Sequence, residues 1–251
     1  MDWYSQITDK DFKKNLLFEW EKLLSGNYTE NHYQRFLSDN AGIFLAGSNC
    51  HLVISKLKLG SELETDFINL SDGFSNGNLY ELIEIKRPNV ELFTEKGTIA
   101  ADFNRAIQQI RDWKRWLIDN PNWVKKHLST VNTRIIHQSN FKFKIIIGRR
   151  ITNPHDIDKR NQIAHEIGAE IRSFDYLTDR LRTREFFPNA WLQNGINYYE
   201  ENLANPFFKA FTDSQWKKFC SSGHVHEFHF YSYHYEQILK MRKYSKLLKK
   251  N

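Results

Sequence analysis

Two acidic residues and one lysine stand on neighbouring predicted strands, and their types suit chemistry assisted by a metal ion. The strand sequence LYELIEIKRP places Leu82, Glu84 and Lys86 on one face, because side chains alternate along a strand. The strand before it, SELETDFINL, carries Asp66. If the two strands pair as a hairpin, the carboxylates of Asp66 and Glu84 come close, and they repel each other unless a cation lies between them.

These residue types predict hydrolysis of a phosphodiester. A hard divalent cation such as Mg²⁺ takes carboxylate, carbonyl and water oxygens as ligands. Held between Asp66 and Glu84, it would polarise the phosphodiester and lower the pKa of a bound water. Lys86 would orient that water or neutralise charge that develops in the transition state. The alternative is a solvated strand face, on which such charges form a weak surface pair and on which Glu62 and Glu64 are also solvated.

The elements around these residues predict a mixed α/β fold. Apolar spacing and turn residues set the boundaries, and Thr29 is the expected cap of the second helix. The order α, β-β-β, α, β, continued by further helices and a strand, predicts a central mixed sheet flanked by helices and reaching about residue 184. The predicted helices cover 9–25, 30–40, 100–119, 155–167 and 175–182, and the predicted strands cover 51–59, 61–70, 79–88, 141–148 and 170–174.

Composition narrows the class of protein. The formal net charge is +6, which favours polyanionic partners such as nucleic acid. Two cysteines do not make a disulfide framework. The first residues contain no apolar run typical of a signal peptide, and no stretch approaches the roughly 20 apolar residues that span a bilayer. We therefore expect a cytoplasmic protein that does not bind membranes.

Six ordered segments resemble the PD-(D/E)XK nuclease superfamily and, within it, the nuclease domain of the Shedu anti-phage defence family. Together the segments cover roughly residues 28–184. The resemblance implies a restriction-endonuclease-like core, with residues 1–27 as a helical segment before it and 185–251 as a C-terminal extension. The matching stretches are ENHYQRFLSDNAGIFL, LGSELETDFINL, LIEIKRPN, AIQQIRDWKRWL, FKIIIGRR and SFDYLTDRL.

The resemblance implies a role for each residue that matches the motif. Asp66 and Glu84 would hold Mg²⁺, for which Mn²⁺ would substitute, and the backbone carbonyl of Ile85 would help. Glu30 matches the acidic residue that often completes the site. An acidic residue after a capping Thr is also explained by the helix dipole.

Gln109 matches the glutamine on the helix after the third strand of the motif. The aromatic residue four positions later is usually tyrosine, and here it is Trp113. This departure leaves the role of the hydroxyl unfilled. A polar residue beside the packing stripe is the alternative interpretation of Gln109, and Trp113 is expected to lie in the core.

Basic residues near the ends of the core strands are candidates for contact with the DNA backbone. Arg87 follows the motif lysine, and Lys144, Arg149 and Arg150 flank the IIIG strand. Arginines at a strand end can contact phosphates. They can equally form a solvated strand end, and the sequence leaves both interpretations open.

Residues 185–251 differ in character from the core, and their sequence assigns them no fold. Their aromatic residues could pack on the core or on a second subunit, and the basic stretch EQILKMRKYSKLLKK could bind phosphates. Zinc binding is a further interpretation, although the spacing matches no standard finger. The candidate zinc ligands are Cys220, His224, His226, His229 and His234.

The sequence therefore predicts a Mg²⁺-dependent endonuclease that acts on DNA, and the resemblance adds a role in prokaryotic anti-phage defence. The alternatives are a catalytically inactive nucleic-acid-binding module on the same fold and a subunit that forms oligomers through residues 185–251.

Overall fold

The computed structural model describes residues 9–47, 50–73, 77–128, 138–183 and 206–221. Its centre is a mixed sheet of six strands in the order β7-β6-β5-β4-β1-β8. The strands are β1 Cys50–Ser55, β4 Phe67–Asp72, β5 Asn78–Ile85, β6 Phe141–Ile146, β7 Glu170–Arg172 and β8 Phe211–Thr212, and a separate hairpin consists of β2 Lys58–Leu59 and β3 Leu63–Glu64.

Helices pack on both faces of this sheet, so the predicted mixed α/β architecture is confirmed. One apolar cluster joins the sheet to the helices from the middle of the chain, and the other joins it to the early helices and α7. The described helices are α1 Lys10–Ser25, α2 Glu30–Asp39, α3 Ala41–Phe44, α4 Ala101–Asp119, α5 Pro121–His127, α6 Pro154–Ile167, α7 Phe174–Thr183 and α8 Asp213–Cys220.

Helix α4 follows its predicted stripe. The five apolar residues that the 3.6-residue period places on one face are all buried against the sheet. They are Phe103, Ala106, Ile110, Trp113 and Leu117. The stripe anchors the helix, and the polar residues beside it are left to face the strand ends.

Thr29 stands at the predicted cap position, but the prediction that its side chain caps the helix is wrong. Thr29 occupies the N-cap position of α2, but its side chain makes no hydrogen bond to the helix backbone. Its hydroxyl lies 2.9 Å from Nδ1 of His32 instead. The side chain of His32, one turn into the helix, therefore takes the place of the expected backbone amide.

Strands β1, β4 and β5 pair antiparallel in chain order, in agreement with the predicted hairpin of the Asp66 and Glu84 strands, but the first two predicted strands are each interrupted. The stretch 51–59 divides into β1 and β2, and the stretch 61–70 divides into β3 and β4. The break follows Ser55, where Lys56 adopts a positive φ of 56°. This turn lifts the β2–β3 hairpin out of the sheet and leaves Asp66 at the open end of β4.

Residues 206–221 add to this core, although the sequence assigned no fold to the range that contains them. Strand β8 pairs in parallel with the edge strand β1. Helix α8 follows it and buries Trp216, whose indole Nε1 donates to the carbonyl of His127 at 2.9 Å. Within the described part of the chain, no helix combines the length and apolar character needed to cross a bilayer.

Candidate active site

The pairing of β4 with β5 brings Asp66 towards Glu84. Phe67 lies opposite Ile83, so the next step along both strands places Asp66 opposite Glu84. The backbone amide of Ile85 donates to Asp66 Oδ2 at 2.8 Å, which fixes the aspartate against the end of β5. Both acidic side chains are nearly buried. The two strands therefore place two carboxylates together at one end of the sheet.

Burial makes the ionised form of Glu84 costly. Burial raises the pKa of the Glu84 carboxyl to about 8, and the nearby Asp66 carboxylate adds to the rise. Lys86 opposes this rise but does not cancel it. A carboxyl whose pKa is raised this far by burial and a neighbouring carboxylate is typical of a functional site.

Lys86 links Glu84 to the first helix of the motif. Its Nζ lies 2.7 Å from Glu84 Oε1 and 3.6 Å from Glu30 Oε2. Burial lowers the pKa of Lys86, but the carboxylates of Glu84, Glu30 and Asp66 more than compensate, so the pKa is raised overall. The amine therefore stays protonated at neutral pH and acts as a fixed positive charge.

Glu30 begins α2 and faces the same cluster. Burial raises the pKa of its carboxyl, Lys86 lowers it, and the Asp66 carboxylate raises it again, with a net rise. The structure thus brings Glu30 together with Asp66, Glu84 and Lys86. A helix-dipole role at the start of α2 does not exclude this second role.

Gln109 approaches the site from α4, although it contacts the chain just before Asp66. Its Nε2 donates to the carbonyl of Glu64 at 3.2 Å. Trp113, one turn further along, is fully buried in the core, as expected. Gln109 therefore steadies the strand that leads into Asp66.

Two residues near Asp66 were not singled out from the sequence. The side chain of Gln34 is buried on α2, and its Nε2 donates to the Asp66 carbonyl at 3.2 Å. Lys56 Nζ lies 2.6 Å from Asp66 Oδ1. Lys56 could have been found by extending the β1–β4 pairing one step, but only if the break in both strands were known.

The candidate phosphate-binding arginines are engaged in ion pairs. Arg149 makes a bidentate contact with Asp175, and the backbone amide of Arg150 donates to Asp175 Oδ2 at 2.6 Å while its side chain pairs with Asp179. Arg87 Nη2 lies 3.8 Å from Asp102. About half of each arginine side chain remains exposed. A role in DNA contact stays a prediction.

The donor set of this end of the sheet suits a hard divalent cation. Among the described residues, no group of three or more histidine, cysteine or acidic side chains is placed to hold a metal. Mg²⁺ needs only one or two carboxylates, because it keeps several waters. The pair of Asp66 and Glu84 meets that need. A cation beside them would offset the cost of burying the Glu84 carboxylate in its ionised form. The Ile85 carbonyl lies between Glu84 and Lys86 in sequence.

The candidate zinc ligands can be placed only in part. Burial raises the pKa of the Cys220 thiol to about 12, and its Sγ lies 3.2 Å from the carbonyl of His127. A thiol held in its protonated form is inert, whereas a metal takes the thiolate. The other candidates, His224, His226, His229 and His234, lie outside the described residues, as does the stretch EQILKMRKYSKLLKK.

Comparison with known proteins identifies the family. The family described as "Shedu protein SduA, C-terminal" matches residues 27–178, which is more than half of the chain and contains every residue of the acidic site. No curated protein and no solved structure matches. On the strength of the family match, the chain belongs to the Shedu family.

Proposed function

We propose that this protein is a Mg²⁺-dependent endonuclease that hydrolyses phosphodiester bonds of DNA in anti-phage defence. The observation that carries the proposal is the meeting of Asp66 and Glu84 at the end of two paired strands, with Lys86 Nζ 2.7 Å from Glu84. Membership of the Shedu family supports the defence role. The proposal includes a restriction-endonuclease-like core of the PD-(D/E)XK superfamily.

Asp66, Glu84 and the Ile85 carbonyl would hold the cation, and Mn²⁺ would substitute for Mg²⁺. The bound cation supplies charge to the scissile phosphate and makes a water more acidic. The amide of Ile85 keeps Asp66 Oδ2 in place, so the geometry of the aspartate does not depend on the ion. This fixed position reduces the reorganisation needed when substrate arrives.

Lys86 and Glu30 would divide the remaining chemistry. Lys86 stays protonated because three carboxylates raise its pKa, so it serves as a positive charge beside the phosphate rather than as a base. Glu30 is suited to accept a proton from the attacking water, since burial raises its pKa towards the working pH. Gln109 holds the backbone carbonyl of Glu64, and Gln34 holds that of Asp66 itself.

DNA is the proposed partner because the chain carries a net charge of +6 and exposes arginines near the strand ends. Arg87, Arg149 and Arg150 would reach backbone phosphates if their aspartate partners yield them. We also propose a cytoplasmic setting and a homo-oligomer formed through residues 185–251.

A cleavage assay across substrate forms tests this function. Supercoiled plasmid, linear duplex, single-stranded DNA and RNA are incubated with Mg²⁺, with Mn²⁺ and with chelator, using wild type, Glu84→Ala and Lys86→Ala. We expect metal-dependent cleavage of a DNA form by wild type and by the matched control Glu91→Gln. Glu91 is an exposed glutamate in the loop that follows the strand of Glu84. Both site variants should fold and fail to cleave.

The assay also separates the rival functions. Wild type that binds DNA but cleaves no substrate under any metal condition would support the inactive binding module. Full activity in Glu84→Ala would refute the assignment of the site. Light scattering with and without residues 185–251 tests the oligomer, since an unchanged mass after truncation removes that role.

A further inference from the structure

Lys56 is held in an unusual conformation directly opposite Asp66. Among the described residues it is the one non-glycine residue with a positive φ, at 56°. Lysine has no local hydrogen bond that favours this region, and such outliers persist where surrounding contacts enforce them. The register continues from Ser55 opposite Phe67, so Lys56 faces Asp66 across the β1–β4 pair.

Two contacts join Lys56 to Asp66. The backbone amide of Lys56 donates to the Asp66 carbonyl at 3.0 Å, and its Nζ lies 2.6 Å from Asp66 Oδ1. The ammonium also lies 3.5 Å from Glu64 Oε1. The Lys56 side chain is 41% exposed, whereas that of Asp66 is 6% exposed. The Lys56 ammonium therefore has open solvent beside it, whereas the Asp66 carboxylate is enclosed.

The two oxygens of Asp66 have different partners. Oδ2 accepts the backbone amide of Ile85, which is part of the strand and stays in place. Among the described residues, Oδ1 accepts from the half-exposed side chain of Lys56 alone. A divalent cation that binds Asp66 must therefore approach Oδ1, where it meets the ammonium. Two positive charges on one oxygen repel each other.

We propose that Lys56 is a tethered counter-cation that occupies the metal position on Asp66 and weakens metal binding by competing for Oδ1. It is a positioning residue, since it acts through Asp66. When a divalent cation enters, the ammonium shifts from Asp66 to Glu64, whose carboxylate already lies within 3.5 Å. The inference rests on the proposed function, because it requires a divalent cation at Asp66 and Glu84.

Competition between Lys56 and a divalent cation for Asp66 Oδ1 predicts whether each substitution tightens or weakens metal binding. Removing the amine should tighten metal binding, although removing most residues near a metal site weakens it. Removing Glu64 should weaken metal binding, because the displaced ammonium then has no carboxylate to receive it. If Glu64 acts through Lys56, its removal should have no further effect once Lys56 is gone.

The test is calorimetric titration of the full chain with Mn²⁺ in the absence of DNA. The variants are Lys56→Asn, which accepts a positive φ and lacks the charge, Glu64→Gln, and the two combined. Lys58→Asn is the matched control, because Lys58 is an exposed lysine two residues later that lies opposite Glu64 in the β2–β3 hairpin, so its loss removes a positive charge beside Glu64 but not the one on Asp66. Thermal unfolding in chelator shows that each variant is folded.

We expect Lys56→Asn to lower the Kd for Mn²⁺ by about 2- to 5-fold, as for loss of a partly exposed ion pair. Glu64→Gln should raise the Kd by a few-fold. The double variant should match Lys56→Asn, and Lys58→Asn should stay near wild type. Unchanged or weaker binding in Lys56→Asn would overturn the proposal.

The outcome also separates this inference from the proposed function. If wild type binds Mn²⁺, Glu84→Gln abolishes that binding and Lys56→Asn leaves it unaltered, only the competition is wrong. If wild type binds no Mn²⁺ and Glu84→Gln changes nothing, both the metal site and the competition are wrong.

Discussion

Two clusters of buried charge lie on the same sheet, and they differ in how well their charges balance. In the structural cluster, Lys144 Nζ lies 2.9 Å from Glu81 and 3.0 Å from Glu170, which also pairs with Arg172. Two cations therefore meet two carboxylates. The pKa of Glu170 falls below its ordinary value, because the pull of Lys144 and Arg172 outweighs the effect of burial.

The acidic site has the opposite balance. In the described part of the chain, Asp66, Glu84 and Glu30 share two ammonium groups, those of Lys86 and Lys56. The pKa of Glu84 rises to about 8 even with an amine at 2.7 Å. Burial and charge balance both contribute to the difference, since the Glu84 side chain is 8% exposed and that of Glu170 is 36% exposed, while the Asp66 carboxylate adds to the rise at Glu84. The surplus of carboxylate therefore adds to the effect of burial at the site that suits a cation.

The strongest way to test this comparison is to replace each central lysine by methionine. Lys144→Met strands two carboxylates, so we expect a loss of roughly 3 kcal/mol in the free energy of unfolding and little change in cleavage per folded molecule. Lys86→Met leaves Glu84 able to keep its proton at pH 7, so stability should change by less than about 1 kcal/mol. Cleavage should fall by about 100-fold or more.

Denaturant unfolding and the plasmid assay are measured on both proteins under one set of conditions. The comparison fails if Lys144→Met loses activity while fully folded, or if Lys86→Met is the less stable of the two.

The sequence predicted this site as far as regular strand geometry reaches. Alternation along β5 placed Glu84 and Lys86 on one face, and hairpin pairing placed Asp66 beside Glu84. Lys56 could not be found in this way, because it sits where the alternation breaks at a positive φ. Strand β8 was not predicted, because a strand of two residues is too short to show an alternating pattern of apolar and polar residues. Its place in the sheet depends on a long-range contact with β1.

The second test uses the pH dependence of stability without metal. The pKa of Glu84 is raised from 4.5 to about 8, so the folded protein holds a proton that the unfolded chain releases between these values. The contribution of the Glu84 proton to the free energy of unfolding is complete below pH 4.5 and is lost as the pH rises through about 8. We expect a loss of roughly 2–4 kcal/mol over this window in chelator.

Thermal unfolding from pH 5 to pH 8.5 measures this slope, and Glu84→Gln should flatten it. Glu170 predicts the reverse, because its pKa is lowered and its stabilisation is lost only as the pH falls below about 4.5. Glu170→Gln should therefore leave the slope above pH 5 intact. An equal slope in wild type and Glu84→Gln would show that Glu84 is not the group responsible.

The smallest expected effect comes from removing the surplus charge itself. Asp66→Asn keeps an oxygen for the Ile85 amide, loses the Lys56 pair and removes the carboxylate that opposes ionisation of Glu84. Without metal at pH 8 we expect Tm to rise by about 1–3 °C, which corresponds to roughly 0.5–1 kcal/mol in a chain of this size. At pH 5, where Glu84 carries its proton, the change should be smaller.

Glu81→Gln is the matched variant in the balanced cluster, and it should lower Tm at both pH values because it leaves Lys144 with one partner fewer. A lower Tm for Asp66→Asn at pH 8 would mean that the ion pair with Lys56 outweighs the repulsion, and that the two clusters are alike in their charge balance.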